Sequence, residues 1–179
     1  MPKKAASRPC TSPDDDLARF RFLARFAREN SHDPDTQNAA GVASGVAEFL
    51  EGNPFGWGYD ANRLPSDDIE ELPERLTRPA KYDWIMHAEA AAVVAAGSRA
   101  GCGTLYALWA ACPDCAKVIV RAFVSEVVTL QRTQDMTPNR WKDKVKTGLE
   151  ILEAGGVAVR FFQEEIGETV RFDGKEVKL

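Results

Sequence analysis

Apolar residues recur at helical spacing in the first long segment of the chain. Leu17, Phe20, Leu23, Ala24, Phe26 and Ala27 follow Ser12-Pro13-Asp14-Asp15-Asp16. A serine cap, a first-turn proline and acids at the positive end of the helix dipole predict a helix from residue 12 to about residue 29. Residues 1–11 are expected to be a disordered tail, and residues 31–36 a turn-rich loop. Residues 41–47 read as a first strand weakened by glycine, and residues 55–61 as a short second one. Residues 62–80 carry prolines and acids and predict a long loop with a short helix, a length that usually serves a function.

From residue 87 the pattern sharpens. The run Ala88-Glu89-Ala90-Ala91-Ala92-Val93-Val94-Ala95-Ala96 is small and apolar on every side, as in a buried helix, and Gly97 ends it. Residues 104–109 predict a strand, and a helix opens at Cys112 and runs to Arg121. Residues 126–130 form a near-continuous apolar run typical of a strand covered on both faces. A helix over 139–154, a strand over 157–162 and a terminal hairpin turning at Asp173-Gly174 complete the reading. Alternating strands and helices imply an α/β layered domain over residues 12–165, with 166–179 as a C-terminal extension.

Composition narrows the classes. With 179 residues, 44% hydrophobic and 28% charged, the chain is of ordinary globular make-up. A net charge of −4 and a pI near 5.3 argue against a dedicated nucleic-acid binder. No apolar run approaches the ~20 residues of a membrane span, and Lys3, Lys4 and Arg8 precede no apolar signal segment. A cytoplasmic location is expected, and with it reduced cysteines.

Two of the four cysteines, Cys112 and Cys115, stand three apart at a predicted helix start. His87, one of only two histidines, stands 25 residues upstream at another, with Glu89 two positions beyond it. One imidazole and two thiols can hold Zn2+ and leave a coordination position for water. Glu89 is too close to His87 to share the same tetrahedron comfortably and is better placed to carry a proton. A structural zinc site and a redox Cys-x-x-Cys pair are the competing readings. The first would need a fourth ligand, for which Cys102 is the nearby candidate. Cys10 and Cys102 otherwise read as bystanders.

The chain resembles the cytidine/deoxycytidylate deaminase superfamily, with dCMP deaminases the nearer branch. The resemblance rests on Ser31-x-Asp33-Pro34-x-Thr36-Gln37, Asn62-x-x-Pro65, Lys81, His87-Ala88-Glu89-Ala90, Thr104-Leu105-Tyr106, Cys112-Pro113-Asp114-Cys115-Ala116-Lys117 and Glu153-Ala154-Gly155. It covers residues 18–162. It implies a three-layer α/β/α fold around a five-stranded mixed sheet, bound zinc, and hydrolysis of dCMP to dUMP and ammonia. Another base or nucleotide (modified dCMP, cytidine, guanine) is the alternative substrate, and a non-catalytic zinc-stabilised binding module the alternative class. By position Asn62 matches the asparagine that bonds the sugar. Ala88 lies within the substrate-contacting motif. Arg63 and Lys81 are the phosphate candidates on charge and location. Ala111 stands where the family usually has proline, and beside it Trp109 is a candidate for stacking on a base. His32 reads as a loop-capping residue. The family also implies a homo-oligomer, dimer to hexamer.

Overall fold

The computed structural model describes residues 13–43, 53–56 and 58–179. The expected tail, the Ser12 cap and residues 44–47 of the expected first strand lie outside the described residues. Helix α1 spans Pro13–Asn30, and its buried positions Phe20, Leu23, Ala24 and Ala27 fall on one face at helical spacing. Strand β1 is Ala39–Ala43, starting two residues earlier than expected, and β2 is Tyr59–Ala61. Gly41 lies directly beneath the Phe55 ring. A Cβ there would sit 2.6 Å from ring carbons, so glycine lets the aromatic side chain rest on the strand.

The long connection carries two single-turn helices, α2 (Pro73–Leu76) and α3 (Lys81–Trp84). Helix α4, Ala88–Ala96, follows His87, and Gly97 closes it with φ 57°. Its small residues allow close approach to β1 and β2. It is not covered all round, however: Val94 and Ala95 face outward. Strand β3 is Thr104–Ala107, shorter than the apolar run that predicts it, although the Leu108 N–H still donates to Ala39 O at 3.2 Å. Helix α5 (Pro113–Arg121), strand β4 (Glu126–Leu130), the short helix α6 (Gln131–Asp135), helix α7 (Asn139–Ala154) and strand β5 (Ala158–Phe162) follow. Strands β6 (Thr169–Phe172) and β7 (Lys175–Lys178) pair as an antiparallel hairpin.

The five-stranded sheet has the order β2-β1-β3-β4-β5. Strand β1 is antiparallel to β2 and β3, and β3, β4 and β5 run parallel. The two-residue period of a strand sends neighbours to opposite faces. Leu105 and Val127 join Ala92, Ile119 and Leu152 of α4, α5 and α7 in one cluster. Tyr106 and Val128 join Phe20 and Leu23 of α1, with Ile166, Val170 and Leu179, in the other. The molecule is thus a three-layer α/β/α domain. The C-terminal segment is part of the α1 layer: Arg21 Nε donates to Ile166 O at 2.9 Å, and Arg25 and Arg28 pair with Glu168. Among the described residues, no helix is long and apolar enough to cross a membrane.

Candidate metal and active site

The carboxyl end of β3 leads through Leu108–Ala111 into α5, and α4 begins beside it. Clefts beyond the carboxyl ends of strands in such sheets are where ligands bind. His87 and Cys112 are the residues immediately before α4 and α5, and Cys115 lies in the first turn of α5. Extended backbone at both positions (ψ 145° and 170°) turns each side chain toward the other helix start. Gly148 of α7 presses on this corner from behind: a Cβ at that position would lie 2.1 Å from the Ala111 carbonyl oxygen.

Cys112 Sγ is 3.4 Å and Cys115 Sγ 3.6 Å from His87 Nδ1, and all three donor atoms lie within 4.8 Å of one another. Zinc–sulfur bonds near 2.3 Å and zinc–nitrogen bonds near 2.0–2.1 Å give a tetrahedral edge of about 3.6 Å. The donor set and its spacing therefore fit a zinc ion, with no fourth protein ligand in the cluster among the described residues. Cys102 is exposed in a turn with φ 61° and takes no part. The hydrogen bond from Cys115, with that of His87, lowers the Cys112 thiol to about 4. Hydrogen bonding to Cys112 raises His87 to about 9, and the same Cys112 contact together with burial pushes Cys115 up.

Glu89 is buried in the first turn of α4, 2% exposed. Burial raises its carboxyl to about 7 against the opposing pull of His87. Asn38 Nδ2 donates to its Oε2 at 3.4 Å, and Cys115 Sγ approaches the same oxygen at 3.9 Å. Sequence reasoning missed Asn38; its only signal is a polar residue placed directly before an apolar strand.

His87, Glu89 and Cys112 line one pocket with Asn62, Lys81 and Trp109. Asn62 is buried and its Oδ1 accepts the Ala88 N–H at 2.9 Å, while its Nδ2 donates to Thr36 O at 3.3 Å. Ala88 is wholly buried, its N–H is taken by Asn62, and it does not line the pocket. Trp109 lies flat on Phe172 of the hairpin, with centroids 3.8 Å apart and planes 19° apart. Lys81 reaches the pocket wall, but it is 3% exposed and clasped by Asp33 at 2.7 Å and Asp35 at 3.0 Å, so its charge is cancelled internally. Arg63 lies outside the pocket, because its backbone pairs with Met86 and its side chain turns to Asp60 and Asp67. His32 is a loop residue: its Nδ1 accepts the Leu64 N–H at 3.4 Å. Arg78, Arg140, Trp141 and Phe172 are, like Asn38, among the residues of the pocket wall that the sequence reading did not assign to the site.

No family model matches the chain. The deoxycytidylate deaminase of Mus musculus is 33% identical over 162 residues, covering 84% of this chain and 82% of its own. An uncharacterized deaminase of Aliivibrio fischeri is 28% identical over 152 residues, 83% of this chain and 94% of its own. The crystal structure of the dCMP deaminase of cyanophage S-TIM5 with dCMP and dUMP superposes with a TM-score of 0.58 at 23% identity, over 86% of this chain and 99% of that one. That structural likeness carries the fold, and the sequence relatives carry the kinship. This chain belongs to the cytidine/deoxycytidylate deaminase superfamily, close to deoxycytidylate deaminase.

Proposed function

We propose that this chain catalyses zinc-dependent hydrolysis of dCMP to dUMP and ammonia. One observation carries the reading: three donor atoms stand at tetrahedral spacing, and two of the residues that bear them, His87 and Cys112, line a pocket with the buried carboxylate of Glu89. The mouse relative's activity and the nucleotides bound in the cyanophage structure support a cytosine nucleotide as substrate. His87, Cys112 and Cys115 would hold zinc, which supplies Lewis-acid activation of water at neutral pH.

Glu89 then does the proton work. Its carboxylate takes a proton from the attacking water, delivers one to the ring nitrogen, and a proton finally leaves with the amine. A carbon–oxygen bond forms at C4 and the C4–amine bond breaks, so one water and one dCMP become one dUMP and one ammonia. Burial shields Glu89 from bulk water, so it exchanges its proton with the reactants. Asn38 steadies the carboxylate through Oε2. Asn62 offers an amide donor for the sugar, and Trp109 an apolar wall beside the base. A cytoplasmic homo-oligomer, dimer to hexamer, belongs to the same proposal.

Zinc analysis and ammonia release from dCMP, dCTP, cytidine, guanine and adenosine test the reading. Zinc-loaded protein should act fastest on dCMP, and Glu89→Ala should keep its zinc while losing at least ~10²-fold in rate. A zinc-loaded Glu89→Ala protein working at the parental rate overturns the role of Glu89. Zinc-loaded parent protein inert on the whole panel favours the binding-module alternative.

A further inference from the structure

Two guanidinium groups meet at the mouth of the pocket. Arg78 comes from the connection between α2 and α3, Arg140 from the first turn of α7, and both line the pocket. Both turn onto one carboxylate, Asp173, at the tip of the β6–β7 hairpin, and Arg78 also pairs with Asp35 at 3.5 Å and donates from Nε to Tyr82 Oη at 3.0 Å. Arg78 Nη2 donates to Asp173 Oδ1 at 2.7 Å and Arg140 Nη1 donates to Oδ2 at 3.1 Å, while Arg140 Nη2 also reaches Oδ1. Three N–H donors on two oxygens is how arginines grip a phosphate as well as a carboxylate.

The other cations considered for a phosphate are either buried or outside the pocket. Lys81 is enclosed by Asp33 and Asp35, and Arg63 lies outside the pocket on Asp60 and Asp67. Arg78 and Arg140 keep 38% and 46% of their side chains exposed, so an incoming ligand can reach them. The hairpin backbone is pinned at this point. Asp173 and Gly174 take the left-handed turn with φ 50° and 78°, and Gly174 N–H donates to Asp35 O at 2.9 Å. Moving the Asp173 carboxylate aside therefore needs a side-chain rotation, not departure of the hairpin. Phe172, its neighbour, already lies on Trp109 in the same pocket.

We infer that Arg78 and Arg140 form an anion seat for the phosphate of a nucleotide substrate, and that Asp173 fills this seat until the substrate arrives. The inference rests on the nucleotide-deaminase reading above. It makes the two arginines specificity-determining residues and Asp173 an internal competitor for them.

The test compares kcat and KM for dCMP and deoxycytidine, with inorganic phosphate as inhibitor, in the parent, Arg78→Gln, Arg140→Gln and Asp173→Asn proteins. Each arginine variant should lower kcat/KM for dCMP at least ~tenfold more than for deoxycytidine, through KM, as expected when charge-assisted bonds to one ligand are lost. Asp173→Asn should lower KM for dCMP and tighten phosphate inhibition. Equal losses on both substrates in the arginine variants overturn the seat, and a raised KM for dCMP in Asp173→Asn overturns the competitor role. Should the arginine variants not fold, the parent decides alone: competitive inhibition by inorganic phosphate with a preference for dCMP supports the seat, and absence of both overturns it. If no cytosine compound is deaminated, the functional reading fails separately. The seat is then read by a rise in Tm with inorganic phosphate that Arg140→Gln abolishes; no such rise overturns it.

Discussion

Asn62 shows how one side chain can hold a site together. Its Oδ1 satisfies the first N–H of α4, between the zinc-ligand candidate His87 and Glu89, and its Nδ2 ties that point to the loop at Thr36. It caps a helix from 26 residues away, so no local capping pattern announces it. Truncation leaves a buried donor unpaired, which costs about 1–3 kcal/mol. Asn62→Ala should therefore lose that much unfolding free energy in a urea titration, while Asn62→Asp, which keeps the acceptor beside a helix N-terminus, should lose less. An alanine variant as stable as the parent would show that the bond does not carry the helix start. The residue scale also separates candidates of equal standing in sequence. Arg63, Lys81, Arg78 and Arg140 all offer a cation, yet only the last two combine exposure with a place in the pocket.

Elements act on the site through close packing. Helix α7 buries Val145, Gly148 and Leu152 at helical spacing, and the glycine brings its backbone against Ala111 and Cys112. Gly148→Ala improves helix propensity by ~1 kcal/mol. It also forces a methyl group into a carbonyl oxygen that cannot retreat without moving Cys112. The overpacking term, about 1–3 kcal/mol, should win. The expected outcome is a lower Tm together with weaker zinc retention on dialysis against a mild chelator. A stabilised variant with unaltered zinc content would refute this account of the corner. Helix α4 was legible from its alanines, but Val94 was not: burial of a small-residue helix depends on which neighbours arrive, and none covers that face among the described residues.

At the scale of the whole molecule, the C-terminal hairpin is locked to α1 by charge. Burial alone would raise the Glu168 carboxyl, but hydrogen bonds from Arg25 and Arg28 outweigh it and hold the group below its ordinary value of 4.5. A depressed folded-state value means the stabilisation is present above 4.5 and is lost as pH falls through the lower folded value. Stability measured from pH 6 downward should therefore fall more steeply in the parent than in Glu168→Gln below about pH 4.5; parallel curves would remove the lock. Because the same hairpin carries Phe172 into the pocket and Asp173 onto the two arginines that line it, its docking joins acid stability to the shape of the site.

The sequence by itself determined most of the elements and marked the candidate metal-binding residues. Helical and strand periods, glycine stops and the His87–Glu89–Cys112–Cys115 spacing are effects of steric and hydrogen-bonding rules acting over a few neighbouring residues. Each thus leaves a local trace in the chain. The tertiary structure decided what surrounds the candidate ligands. Asn38, Arg78, Arg140 and Phe172 come from four separate segments, and Asp173 reaches Arg78 across 95 residues. Charge pairing and ring stacking operate through space, and once the backbone has folded a cation's environment depends on which carboxylates lie within a few ångströms. That is why Lys81 became an internal ion pair, Arg63 turned outward, and the two arginines without a local motif came to stand at the pocket mouth.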